Sequence, residues 1–100
     1  MSHLTHEELN KKINEAGKLV VIGGIYKHYK YPERDYMVEK ICIQESTEKV
    51  CIVYKDLPRR QAGRNFVNAP SFVRYLDSWL ESVVWKGGVV QRFQKVILKV

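Results

Sequence analysis

The chain has 100 residues, 45% of them apolar, and a formal net charge of +6, which fits one domain with a modest core and calls for no second one. Its uninterrupted apolar runs, such as Leu19 to Ile22, fall far short of the ~20 residues of a membrane helix, so no membrane span is expected. The start, Met1-Ser2-His3-Leu4-Thr5-His6-Glu7-Glu8, has neither the basic region nor the apolar stretch of a secretory signal; a cytoplasmic location is expected, with Cys42 and Cys51 reduced and buried rather than paired.

Thr5 followed three residues later by Glu8 forms a capping-box pattern, Leu4 and Leu9 are spaced as a hydrophobic staple, and Gly17 supplies a stop. This predicts a helix from about His6 to Ala16. Its apolar positions, Leu9, Ile13 and Ala16, make a narrow stripe, so residues 1–17 read as a helical appendage at the edge of a domain spanning 18–100. Leu19 to Ile22 then reads as a short buried strand, broken by Gly23-Gly24 before a second strand from Ile25 to Tyr29. From Arg34 to Gln44 the chain alternates, but Tyr36 and Val38 have one parity and Ile41 and Ile43 the other; a bulge near Glu39-Lys40 puts both pairs on the core side. Val50, Ile52 and Tyr54 alternate again after the polar break Glu45 to Glu48, which makes Tyr36 to Tyr54 a β-hairpin with Cys42 opposite Cys51.

Residues Pro58 to Ser71 read as a long loop with three arginines. Beyond it, Phe72, Leu76, Trp79, Leu80 and Val83 recur at helical spacing. Lys86-Gly87-Gly88 turns the chain between Val83-Val84-Trp85 and Val89-Val90, and Phe93, Val96, Ile97 and Val100 continue the last strand.

The stretch with the most chemistry is Tyr26-Lys27-His28-Tyr29-Lys30-Tyr31, where aromatic and basic residues interleave. In a strand, Tyr26, His28 and Lys30 face one way and Lys27, Tyr29 and Tyr31 the other, so each face offers rings beside positive charge, as binders of single-stranded nucleic acid do. The alternative is half-buried strand tyrosines with lysines facing water. Lys27 and Lys30, together with Arg59, Arg60 and Arg64 of the loop, are candidate phosphate contacts; a solvated loop is the competing reading. Charge placement bears on both. Eight basic and eight acidic residues balance in residues 1–50, whereas residues 51–100 hold nine basic and three acidic, a skew that suits an anionic partner or serves solubility alone.

Metal and catalytic signatures are absent: His3 and His6 have no third ligand near in sequence, and a nucleophile pair of His28 with Cys42 or Cys51 has no supporting motif. No cofactor is expected.

Taken together, Gly24-Ile25-Tyr26-Lys27-His28-Tyr29-Lys30, Tyr36-Met37-Val38, Ser46-Thr47, Cys51-Ile52-Val53-Tyr54-Lys55, Phe72-Val73-Arg74, Trp79-Leu80-Glu81, Gly87 and Arg92-Phe93 resemble a bacterial domain-of-unknown-function family, number 1653, over roughly residues 24–93. The resemblance implies a mainly β fold, a small SH3-like β-barrel, with the N-terminal helix outside it and a short helix before the last hairpin. It also implies a strand through Arg74, with the helix beginning only after it. The family usually has proline where this chain has Tyr75 and Gln91, and its central loop is shorter. Tyr26, His28, Tyr29, Tyr54, Arg74 and Arg92 match the family pattern and are the candidate ligand-binding residues. The function expected is therefore a small non-enzymatic binding module. Its partner is an anionic ligand such as RNA or single-stranded DNA, or alternatively a peptide or partner subunit.

Overall fold

The computed structural model describes residues 3–57 and 70–96. It is mainly β, with helix α1 (His6–Ala16), strands β1 (Ile25–His28), β2 (Tyr31–Gln44), β3 (Lys49–Leu57) and β4 (Ser71–Tyr75), helix α2 (Leu76–Leu80), and strands β5 (Ser82–Trp85), β6 (Gly88–Gln91) and β7 (Phe93–Lys95).

The capping box forms as the sequence requires: Glu8 N–H donates to Thr5 Oγ1, and Thr5 N–H donates to a Glu8 carboxylate oxygen. Hydrogen bonding of the carboxylate by the Thr5 backbone N–H, and then by the Thr5 side chain, holds the Glu8 carboxyl below its ordinary value. The helix is tied to the β2–β3 turn by Leu4 N–H on the Glu48 carboxylate and Lys12 Nζ on the Glu48 carbonyl. Ile13 and Ala16 point inward, and Ala16 is 1% exposed. Thr5→Ala is expected to lower stability by about 1 kcal/mol, read as a shift of the urea midpoint; an unmoved midpoint would show that α1 docks without its cap.

Residues 19–22 do not form the expected strand. They make a series of turns in which Val20 alone is buried, while Leu19, Val21 and Ile22 are about half exposed. The backbone reason is the turn at Gly23, whose φ is +81°, and the pinning of the segment by hydrogen bonds of Gly23 and Gly24 to Val38 and Val21. A Cβ on Gly24 would sit 2.9 Å from the Val21 carbonyl oxygen, so the second glycine is needed for close approach.

β2 is the central strand. Its first half pairs with β1 and its second with β3, and the ladder order is β4-β3-β2-β1-β7, all antiparallel. The register with β3 shifts between Val38 and Lys40, so Glu39 is the bulged residue. Tyr36, Val38 and Ile41 are thereby all buried. Cys42 lies opposite Cys51, as expected; Cys51 is buried and Cys42 half-buried, both as free thiols. The strand β4 runs through Arg74 and α2 follows it directly.

The sheet does not close into a barrel. Among the described residues β4 and β7 are its two ends and share no ladder, and β5 and β6 form a separate hairpin closed by Lys86 and Gly87, both at positive φ. Side chains bridge the gap instead. Trp79 of α2 lies flat on Phe93 of β7, ring centroids 3.7 Å apart, and meets Tyr26 and Tyr54 edge-on at 5.3 and 5.0 Å. Around this aromatic centre Val20, Val38 and Ile52 complete a core with almost no exposed surface. Among the described residues, packing of rings on Phe93 holds the ends together.

Candidate binding site

β1 reaches β2 through the two-residue connection Tyr29-Lys30, because His28 pairs with Tyr31. That turn ends the strand alternation expected for the interleaved stretch. The ring of Tyr29 folds back onto His28, stacked at 4.6 Å, and Tyr31 approaches the other way at 5.3 Å. The separate hairpin brings Trp85 edge-on to Tyr29 at 5.1 Å. Four rings, Tyr31, His28, Tyr29 and Trp85, therefore run in sequence across one surface. Three of them carry a cation: Arg34 over Tyr31 at 5.2 Å, Lys30 over Tyr29 at 5.9 Å and Lys86 over Trp85 at 5.6 Å. A cleft of about 190 Å³ between His28, Tyr29, Pro32 and Trp85 marks the middle of this row.

His28 is the buried member, 9% exposed. Its Nδ1 accepts from Lys30 N–H, which in the neutral ring leaves the proton on Nε2, and its far edge meets Phe93 at 5.1 Å. Burial first, then the charges of Arg74, Arg92 and Lys30, hold its pKa below the ordinary 6.5. The folded protein thus binds this proton less readily than the unfolded chain does. Stability contributed by neutral His28 is fully present above about 6.5, and is lost as pH falls toward the depressed folded value. Urea unfolding at pH 5 and pH 7 is expected to show lower stability at pH 5, and His28→Phe is expected to flatten that difference; an unchanged pH slope in the variant would assign the effect elsewhere.

The expected ligand-binding residues separate into three groups. Tyr26 and Tyr54 serve the core: Tyr26 is 5% exposed with its hydroxyl accepting from Val21 N–H, and Tyr54 packs among Tyr36, Phe72, Trp79 and Phe93. His28 and Tyr29 belong to the ring row. Arg74 and Arg92 converge on Ser78, Arg74 Nη1 reaching its hydroxyl at 2.9 Å and Arg92 Nε its carbonyl at 3.1 Å. Arg92 also pairs with Glu81 at 3.3 Å, and Arg74 lies over Phe93 at 5.4 Å. Among the cations, Lys27 is engaged with Asp35 and the Pro32 carbonyl, whereas Lys30 is exposed at the turn. Arg59, Arg60 and Arg64 lie outside the described residues.

Tyr31, Arg34, Trp85 and Lys86 join the site although the sequence reading did not select them as site residues. Trp85-Lys86 at a hairpin turn repeats the aromatic-basic juxtaposition of Tyr29-Lys30, which was the available signal. The thiol of Cys51 is pushed up, by burial and then by Cys42 beside it, opposite to the activation of a nucleophile. Among the described residues no group of three His, Cys, Asp or Glu side chains is gathered as a metal site requires, and no helix is long and apolar enough to cross a membrane.

No curated protein matches the chain. A crystal structure of a Bordetella bronchiseptica protein from the domain-of-unknown-function family 1653 is similar, with 31% identity and a TM-score of 0.57 over 74% of this chain and 85% of that one. Residues 24–95, which hold every described strand and α2, match the family model described as protein of unknown function (DUF1653), and the chain belongs to that family.

Proposed function

We propose that this domain is a non-enzymatic, cytoplasmic binding module for single-stranded nucleic acid, RNA or DNA, with the strand lying along Tyr31, His28, Tyr29 and Trp85. The observation that carries this reading is the row of rings at 4.6–5.3 Å, three of them faced by a cation. Bases stack on exposed ring surface whatever their sequence, while lysine and arginine beside the rings meet the backbone phosphates. Tyr31 is 42% exposed and Tyr29 and Trp85 are half-buried, so the rings are held by the fold yet open to a ligand. The two tryptophans make the test simple, because Trp79 is sealed in the core at 2% exposure and Trp85 is on the surface row. Addition of a short single-stranded oligonucleotide is expected to quench the Trp85 component of fluorescence and to do nothing in Trp85→Phe. Quenching that persists in the variant, or none in the wild type, would remove the proposed face.

One observation favours a partner protein instead. Val84 and Val89, opposite each other on the hairpin, are 78% and 74% exposed, an apolar pair that a partner subunit would cover. A protein complex built on them resists nuclease and changes little with salt, the opposite of the behaviour expected for nucleic acid.

A further inference from the structure

We propose that the cavity beside β4 is a second binding site, for a small organic oxyanion: a carboxylate or phosphate ester borne on an apolar ring, with Arg74 as its charged contact. This site does not rest on the nucleic-acid reading. The cavity measures about 530 Å³, within the usual span of small-molecule sites, ~300–1,000 Å³. Tyr54, Phe72 and Val73 give it apolar walls, Gln44 and Ser78 give it polar groups, and no carboxylate lines it.

Arg74 is the lining cation, and its hydrogen bonding is incomplete. Nη1 donates to Ser78, the guanidinium rests on Phe93, and Nε, shut away from solvent, has no acceptor among the described residues. Nor does Arg74 form an ion pair with any described carboxylate; Glu81 pairs with Arg92. One more cation stands beside the cavity, Lys49 over the ring of Tyr75, itself a wall residue, whereas Arg92, against the Ser78 carbonyl, is paired with Glu81. The positive field extends to His28, whose proton Arg74 and Arg92 both disfavour. An oxyanion against the Arg74 guanidinium supplies the charge that no described carboxylate provides, and its ring meets Phe72 and Tyr54.

The test is an NMR titration of the labelled chain with benzoate, phenyl phosphate and the neutral isostere benzamide, reading the Arg74 side-chain N–H and the amides of Ser71 to Tyr75 and Ser78. Saturable, localised shifts with both anions and none with benzamide are expected. Arg74→Lys, checked for folding by its thermal midpoint, is expected to weaken benzoate binding by about tenfold or more. Benzamide matching benzoate, or no saturable shift from either anion, would overturn the site, and that comparison needs no variant to fold. A response of these signals to an oligonucleotide but not to phenyl phosphate would overturn it too, by assigning Arg74 to a backbone phosphate. Tyr29→Ala, which removes a ring of the nucleic-acid face, is expected to leave benzoate binding unchanged, so each site fails or stands separately.

Discussion

Trp79→Ala is expected to cost about 3–5 kcal/mol, a large part of the ~5–15 kcal/mol that stabilises a small domain. The magnitude follows from position. Trp79 is 2% exposed and its ring touches three strands at once, flat against Phe93 of β7 and edge-on to Tyr26 of β1 and Tyr54 of β3. In a closed barrel, ladder hydrogen bonds would hold the first and last strands together even after such a deletion. Here, among the described residues, β4 and β7 share none, so the packing of Trp79 on Phe93, beside that of Arg74 on the same ring, takes the ladder's place. Trp85→Ala, at a half-buried position on the separate hairpin, is expected to cost far less. Urea unfolding of the two variants side by side makes the comparison, and equal losses would contradict the view that side-chain packing replaces closure.

Tyr29→Ala is expected to weaken binding of a short single strand by about 1–3 kcal/mol, the usual worth of one base-aromatic stack, or roughly five- to 150-fold. Tyr29 is central to the ring row, in contact with both His28 and Trp85, and its removal leaves the outer rings without a continuous platform. Substitution of Lys30, Arg34 and Lys86 acts differently. It lowers affinity at low salt and reduces the salt dependence, because those side chains meet phosphate rather than base. Loss of affinity on Tyr29→Ala with an unaltered salt slope therefore separates stacking from charge, and a folded Tyr29→Ala protein that binds as tightly as wild type would exclude stacking at this face.

Local rules were legible wherever a few adjacent residues decide the outcome. Thr5 and Glu8 announce the cap, and the parity change between Val38 and Ile41 announces the bulge at Glu39, because burial on one face admits no other register. The family pattern, rather than the spacing of Phe72, Leu76 and Trp79, gave the end of β4, since those positions suit either a helix or a strand followed by one. The run Leu19 to Ile22 misled because four apolar residues are equally consistent with a strand and with a turn that buries one of them. Barrel closure was beyond reach for a different reason: whether two end strands pair depends on contacts between elements far apart in sequence, which is a tertiary matter.

The candidate site was half legible. Interleaving of tyrosine, histidine and lysine in residues 26–31 located the region, but the family match also selected Tyr26 as a ligand-binding residue, and its ring is buried in the core. Trp85 and Lys86 lie more than fifty residues away along the chain and reach Tyr29 only because the β5–β6 hairpin folds back on β1. Arg74 and Arg92 were selected through the family match, and nothing in the sequence placed both on Ser78.

The most direct measurement of the central claim is an NMR titration of the labelled domain with short single-stranded RNA and DNA at about 50 and 200 mM salt. Localised shifts at Tyr29, Lys30, Tyr31, Trp85 and Lys86 that fade at the higher salt are predicted, with the buried Trp79 indole unmoved. No shift at either salt, or shifts centred on Val84 and Val89 that salt leaves intact, would contradict the account and turn attention to a protein partner on the hairpin.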